Sequence, residues 1–187
     1  MCRRRGEGRH TRRMPFEAGQ TAIVVAVPEA EPVVDRWRRR YDRSAPLGVP
    51  AHVTLLYPFL ELSRIDGSVV EQLRSLFARQ PAFKVTFPRC GRFPDVLYLD
   101  PDPADTFRSL TAGIVEQWPE APPYGGVHDL VVPHLTVAEG TDETTFALIE
   151  DDVAARLPVE AAATEARLLA FDGSQWVTRV RFALAPR

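Results

Sequence analysis

Two short stretches decide the reading of this chain: His52-Val53-Thr54-Leu55-Leu56-Tyr57-Pro58-Phe59 and Pro133-His134-Leu135-Thr136-Val137-Ala138. Each contains histidine, apolar residue, threonine, apolar residue. On a β-strand successive side chains alternate faces. His52 and Thr54 therefore share one face, with Val53 and Leu55 behind them. His134 and Thr136 share a face in the same way, backed by Leu135 and Val137. Each strand is predicted to bury its apolar side and to show an imidazole beside a hydroxyl.

The surroundings of the two stretches also match. Gln20–Val27 is a β-branched apolar run and reads as a buried strand. Glu29–Arg43 reads as a helix, with Arg36, Arg38, Arg39, Arg40 and Arg43 as its solvated face. A loop over 44–50 leads to the first motif strand, Ala51–Leu56. Asp66–Arg79 has Val69, Val70, Leu73, Leu76 and Phe77 at helical spacing. Phe83–Phe87 and Val96–Leu99 read as two antiparallel strands flanking a Pro88–Asp95 connection. Then the order recurs: a helix over Ala104–Trp118, a Pro/Gly loop over Pro119–Gly126, and the second motif strand over His134–Ala138. A helix over Asp142–Leu157 follows, with Asp142 as N-cap, and then a hairpin of Ala166–Phe171 and Trp176–Leu184 around Asp172-Gly173. The second histidine stands 134 − 52 = 82 residues after the first. This recurrence predicts a duplicated α+β fold. Its expected form is bilobal and pseudo-twofold, with two antiparallel sheets, helices on their outer faces and a central cleft.

Residues 20–187 are assigned to one such domain. Residues 1–19 are Arg- and Gly-rich without periodicity and read as a disordered basic tail, with Met14 a possible start. A basic arm for RNA is the sharper alternative, although such tails are commonly just solvated. The chain has 187 residues and a net charge of −2. Residues 1–14 hold six Arg and one Glu, leaving 17 basic and 24 acidic residues in the remainder, a charge of −7. A body this acidic lacks the basic face of a protein that grips long nucleic acid. It remains compatible with a small phosphate ligand. Lys84 is the only lysine, so cationic contacts fall to arginine, whose planar fork suits phosphate. No apolar run is long enough to span a bilayer, and no apolar segment follows Arg3-Arg4-Arg5 as a secretion signal requires. Cys2 and Cys90 form no framework and read as free thiols, which places the chain in the cytoplasm.

The chemistry implied by the motifs is displacement at phosphorus. A neutral imidazole can take a proton from the attacking oxygen, and an imidazolium can give one to the leaving oxygen. Threonine hydroxyls can donate to the non-bridging phosphate oxygens. A single His-x-Thr carries little weight. Twelve threonines in 187 residues give each histidine about a 6% chance of one two places on, so two of the four histidines is a roughly 2% event. His52, His134, Thr54 and Thr136 are therefore the predicted catalytic residues.

At these motifs the chain resembles the 2H phosphoesterases, also called the 2′-5′ RNA ligase or cyclic phosphodiesterase-like superfamily. The resemblance covers about residues 20–185 by element order. It implies an active site between two lobes, and metal-independent hydrolysis of 2′,3′-cyclic phosphates on nucleotides or RNA ends, without a cofactor. It maps the family's histidines onto His52 and His134, and its hydroxyl residues onto Thr54 and Thr136. His52 is taken as the base, although sequence leaves the two roles open. Alternatives within the fold are an RNA 2′-5′ ligase, a 2′-5′ oligonucleotide phosphodiesterase, or a nucleotide-binding module without turnover. A metal-dependent hydrolase is a further rival. The expected protein is a monomer.

Further candidates are aromatic. Tyr57, Phe59, Tyr124 and Trp176 are the predicted substrate-binding residues, able to stack a base, although packing explains each of them as well. His128 is off-pattern and reads as a loop residue. Arg92 is a possible phosphate contact. Asp100, Asp102 and Asp105 are spaced loosely like metal ligands, but Pro101 and Pro103 make a turn and helix cap the better reading.

Overall fold

The computed structural model describes residues 16–126 and 131–186. The strands are β1 (Thr21–Ala26), β2 (His52–Leu56), β3 (Phe83–Phe93), β4 (Val96–Asp102), β5 (Leu135–Glu139), β6 (Val159–Ala163), β7 (Glu165–Phe171) and β8 (Trp176–Ala183). The main helices are α1 (Glu31–Tyr41), α2 (Gly67–Phe77), α3 (Ala104–Gln117) and α4 (Glu143–Ala154). They form two four-stranded antiparallel sheets, ordered β2-β1-β7-β8 and β5-β4-β3-β6. Each motif strand is an edge strand of its sheet. The predicted α+β class with two antiparallel sheets is what the chain adopts.

Local chemistry explains the helices. The Asp66 carboxylate accepts from the Val69 amide at 3.0 Å and starts α2. Asp142 does the same for Thr145 at 3.0 Å and starts α4, as expected. Leu73, Leu76 and Phe77 on α2, Phe107, Leu110 and Ile114 on α3, and Phe146, Ile149 and Val153 on α4 are buried. They join Val53, Leu55, Leu135 and Val137 in one continuous core that spans both sheets. The helices thus cover the sheet faces opposite the histidines and threonines. The Thr111 hydroxyl fixes α3 to β2 by donating to the Leu55 carbonyl at 2.8 Å.

Several details differ from expectation. Each sheet draws strands from both halves of the chain. The β3–β4 hairpin, which follows the first motif, pairs with the second motif strand, and the C-terminal β7–β8 hairpin pairs through β1 with the first. Strand β3 runs through most of the predicted connection, with Pro88 exposed where the register with β4 shifts between Thr86 and Arg89. A strand tolerates proline best at such an irregularity. Strand β6, Val159-Glu160-Ala161-Ala162-Ala163, is absent from the sequence reading, because its three alanines give no β-branched signal. Arg38 is no part of a solvated helix face: it is 1% exposed. Residues 16–19 are not tail, since Phe16 packs against Tyr57, Phe171 and Trp176, and Gly19 donates to the Phe171 carbonyl. The rest of the predicted tail, residues 1–15, lies outside the described residues, as does His128.

Candidate active site

Strands β2 and β5 approach each other where the two sheets meet. His52, Thr54, His134 and Thr136 all line a single cavity of about 730 Å³ between them. The alternation of each strand decides this. Val53 and Leu55 enter the core, as do Leu135 and Val137, so the intervening side chains must face the cleft.

The two imidazoles are held by the same device. His52 Nδ1 lies 2.8 Å from the Pro50 carbonyl oxygen, and His134 Nδ1 lies 2.8 Å from the Val132 carbonyl oxygen. A carbonyl only accepts, so each Nδ1 carries the proton. The neutral ring then has its lone pair on Nε2, the nitrogen left for the cavity.

Their surroundings differ. Burial holds the His52 pKa down, to about 4, and the positive charge of Arg38 adds to the effect, against the Pro50 carbonyl and Asp42. Arg38 Nη2 donates to Asp42 Oδ2 at 2.9 Å and to the Val49 carbonyl at 3.2 Å, while Asp42 Oδ1 accepts from the Ser44 amide and hydroxyl. His134 is also lowered by burial, opposed by the Val132 carbonyl. Aromatic rings flank it: Phe93 at 5.2 Å and 90°, and Tyr98 at 5.5 Å and 62°. Phe93 and Tyr98 stack on each other at 4.4 Å.

Of the four predicted substrate-binding aromatics, Tyr57 and Tyr124 line the cavity. The Tyr124 amide donates to the Tyr57 carbonyl at 2.7 Å, tying the loop before the second motif to the end of the first. Tyr124 has φ of 52°, a left-handed conformation unusual for a tyrosine. Phe59 and Trp176 do not line it. Phe59 packs perpendicular to Trp118 in the main core, and Trp176 lies in a smaller cluster with Ala22, Val24, Leu169 and Phe171. Arg92 also lies elsewhere, bonded to Glu143 and Glu150 on α4. Asp100 pairs with Arg89 and Asp105 with Arg108, so neither is arranged as a ligand. Among the described residues no three His, Cys, Asp or Glu groups converge as a metal site would need.

Phe16, Phe93, Arg43, Asp95 and Glu139 also line the cavity, beyond the residues the motifs predict. Only Glu139 has a local signal, its place at the end of the second motif strand. The others arrive from chain segments outside either motif.

Comparison with known proteins agrees with this architecture. The 2′-5′ RNA ligase superfamily model matches residues 26–175. A Staphylococcus aureus (strain JH1) protein named "Putative phosphoesterase SaurJH1_1032" is 31% identical over 159 residues, 81% of this chain and 90% of that protein. A counterpart from strain MRSA252 matches equally. Among solved structures, E. coli LigT complexed with 3′-AMP has a TM-score of 0.58 at 20% identity, covering 90% of this chain and 99% of that one. TT0787 of Thermus thermophilus has a TM-score of 0.55 at 19% identity, over 90% of this chain and 99% of that one. These two share the fold. By its family match and its curated relatives, the chain belongs to the 2′-5′ RNA ligase superfamily, the 2H phosphoesterases.

Proposed function

We propose that this protein is a phosphodiesterase that opens 2′,3′-cyclic phosphates of nucleotides or RNA ends by acid-base catalysis between His52 and His134, with no metal required. The observation that carries this reading is the shared cavity: two imidazoles, each with Nδ1 tied to a backbone carbonyl, beside two threonine hydroxyls.

The roles follow from the surroundings. His52, buried next to the Arg38 cation, is held neutral and suits the base. Its Nε2 takes a proton from water as the water oxygen attacks phosphorus. Among the described residues no cation adds to the lowering of the His134 pKa, and His134 suits the acid. Its Nε2 proton passes to the ribose oxygen as the phosphorus–oxygen bond breaks. Bound phosphate carries negative charge, which raises both imidazole pKa values and helps keep His134 charged in the complex. Thr54 and Thr136 donate to the non-bridging oxygens, where charge must be held through the displacement. In ligation a 5′-hydroxyl takes the place of the water with the same roles, and the two histidines exchange roles only in the reverse step, in which a 2′-5′ linkage is cleaved back to the cyclic phosphate.

The test is turnover of the four 2′,3′-cyclic nucleotides, and of short RNA ending in a cyclic phosphate, with EDTA present. A 2′-5′ oligonucleotide is assayed in parallel. Loss of activity in EDTA, or turnover of the 2′-5′ linkage alone, overturns the reading.

A further inference from the structure

Arg43 is the one guanidinium or ammonium group among the described residues that line the catalytic cavity. Its position is built, not incidental. Helix α1 ends at Tyr41, and Asp42 then binds in both directions, to Arg38 through Oδ2 and to Ser44 through Oδ1. Arg43 is therefore held between two anchored neighbours. Its own backbone amide donates to Glu139 Oε1 at 3.1 Å. The side chain crosses to the same carboxylate, Nε to Oε1 at 2.7 Å and Nη2 to Oε2 at 2.8 Å. Glu139 closes β5, the second motif strand, while Arg43 precedes β2, the first.

Guanidinium has five N–H donors in a planar fork. Glu139 occupies the edge made by Nε and one N–H of Nη2. The opposite edge, formed by Nη1 and the second N–H of Nη2, has no partner among the described residues. That edge matches two oxygens of a phosphate group. The site has need of it. With both imidazoles held toward the neutral form and both threonines uncharged, nothing else in the described lining offers a fixed positive charge to an anionic substrate.

We propose that Arg43 is a substrate-binding residue whose outer guanidinium edge grips the phosphate group, with Glu139 holding that edge toward the cavity. The proposal rests on the phosphodiesterase reading for the identity of the substrate, but the grip itself concerns any nucleotide phosphate at this site. Glu139 has two opposing effects. It orients the arginine, and its negative charge repels the ligand.

These features give opposite expectations for two variants of the full chain. Arg43 has a side chain 63% exposed, so its replacement leaves the core intact. Binding of 3′-AMP is measured by calorimetry on wild type, Arg43→Ala, Arg43→Lys and Glu139→Gln, alongside kcat and KM for a 2′,3′-cyclic nucleotide. Arg43→Ala is expected to weaken 3′-AMP about tenfold or more, and to raise KM more than it lowers kcat. Arg43→Lys keeps the charge but loses the fork, and falls between. Glu139→Gln keeps an oxygen for the arginine and removes a charge, so it binds 3′-AMP at least as tightly as wild type. Equal weakening by Arg43→Ala and Glu139→Gln marks the pair as a bridge between strands only and overturns the proposal. So does an Arg43→Ala affinity within twofold of wild type. Wild type that binds 3′-AMP through Arg43 but turns over no cyclic nucleotide defeats the phosphodiesterase reading and leaves this one standing.

Discussion

Gly91 stands directly opposite Tyr98 in the β3–β4 ladder, and a methyl group on its α-carbon would meet the Tyr98 ring at 2.4 Å. The tyrosine lies across the glycine because nothing else occupies that space. The same ring lies against His134, and Tyr98 pairs with Thr136 on its other side. A position with no side chain thus shapes the wall behind the second motif strand.

Gly91→Ala is therefore expected to displace Tyr98 and cost about 1–3 kcal/mol in stability, the usual penalty for overpacking. It should also lower kcat by disturbing His134. Adding Tyr98→Ala to Gly91→Ala removes the clash and should recover part of the stability. Denaturant unfolding and steady-state kinetics on both variants check this. An unperturbed Gly91→Ala enzyme refutes the arrangement.

His52→Ala and His134→Ala should each reduce kcat by about a hundredfold or more, the scale of general acid-base catalysis. Thr54→Val and Thr136→Val should cost less, since each removes one neutral donor. Near-normal turnover in either histidine variant would falsify the two-histidine mechanism.

The pH dependence has a definite sign. The base works only when neutral, so the acidic limb of kcat/KM reports His52 in the free enzyme and should fall near pH 4. The acid works only when charged, and the His134 pKa lies below its ordinary value of 6.5. The bell of kcat/KM should therefore centre on the acid side of neutrality. The kcat profile should shift upward, because bound phosphate favours both imidazolium forms. A kcat/KM profile flat from pH 4 to 8 refutes the assignment.

Stability should follow the same groups. Both histidines have folded pKa values below the unfolded 6.5, so between there and about 4 the unfolded chain binds more protons. Folding free energy is then full above pH 6.5 and declines as pH falls toward 4. Carboxylates held low, such as Asp142 and Glu165, lose their contribution only at still lower pH. Comparing unfolding at pH 7 and pH 5 in wild type and His52→Gln isolates the effect. The variant should show a smaller loss, and an equal loss in both proteins counts against the His52 shift.

Arg38 and Asp42 are 1% and 4% exposed and depend on each other. Arg38→Met should destabilise by about 3–5 kcal/mol, because it leaves a buried carboxylate unpaired. Chemical denaturation of the variant checks this, and a loss below 1 kcal/mol contradicts it.

The sequence by itself determined the polar face of each motif strand. In His-Val-Thr-Leu and His-Leu-Thr-Val apolar and polar residues alternate with the period of the pleat, so a strand there carries its histidine and threonine on one side. The helices were legible for the same reason: Leu73, Leu76 and Phe77 repeat at a spacing that a helix converts into a face. Such patterns are local, and each residue's neighbours along the chain suffice to express them. The tertiary structure alone decided which hairpin completes which sheet. The pairing of β1 with β7 sets residues far apart in sequence opposite each other, as in Thr21 and Ala170, 170 − 21 = 149 positions apart, and peptide groups carry no label for their partner. It alone decided that Arg38 is buried while Arg39 is exposed, because a buried guanidinium depends on Asp42 and the Val49 carbonyl meeting it in space. It alone also took Phe59 into the core and brought Phe16, Phe93 and Arg43 to the cavity, since a wall built from distant segments exists only after those segments have packed.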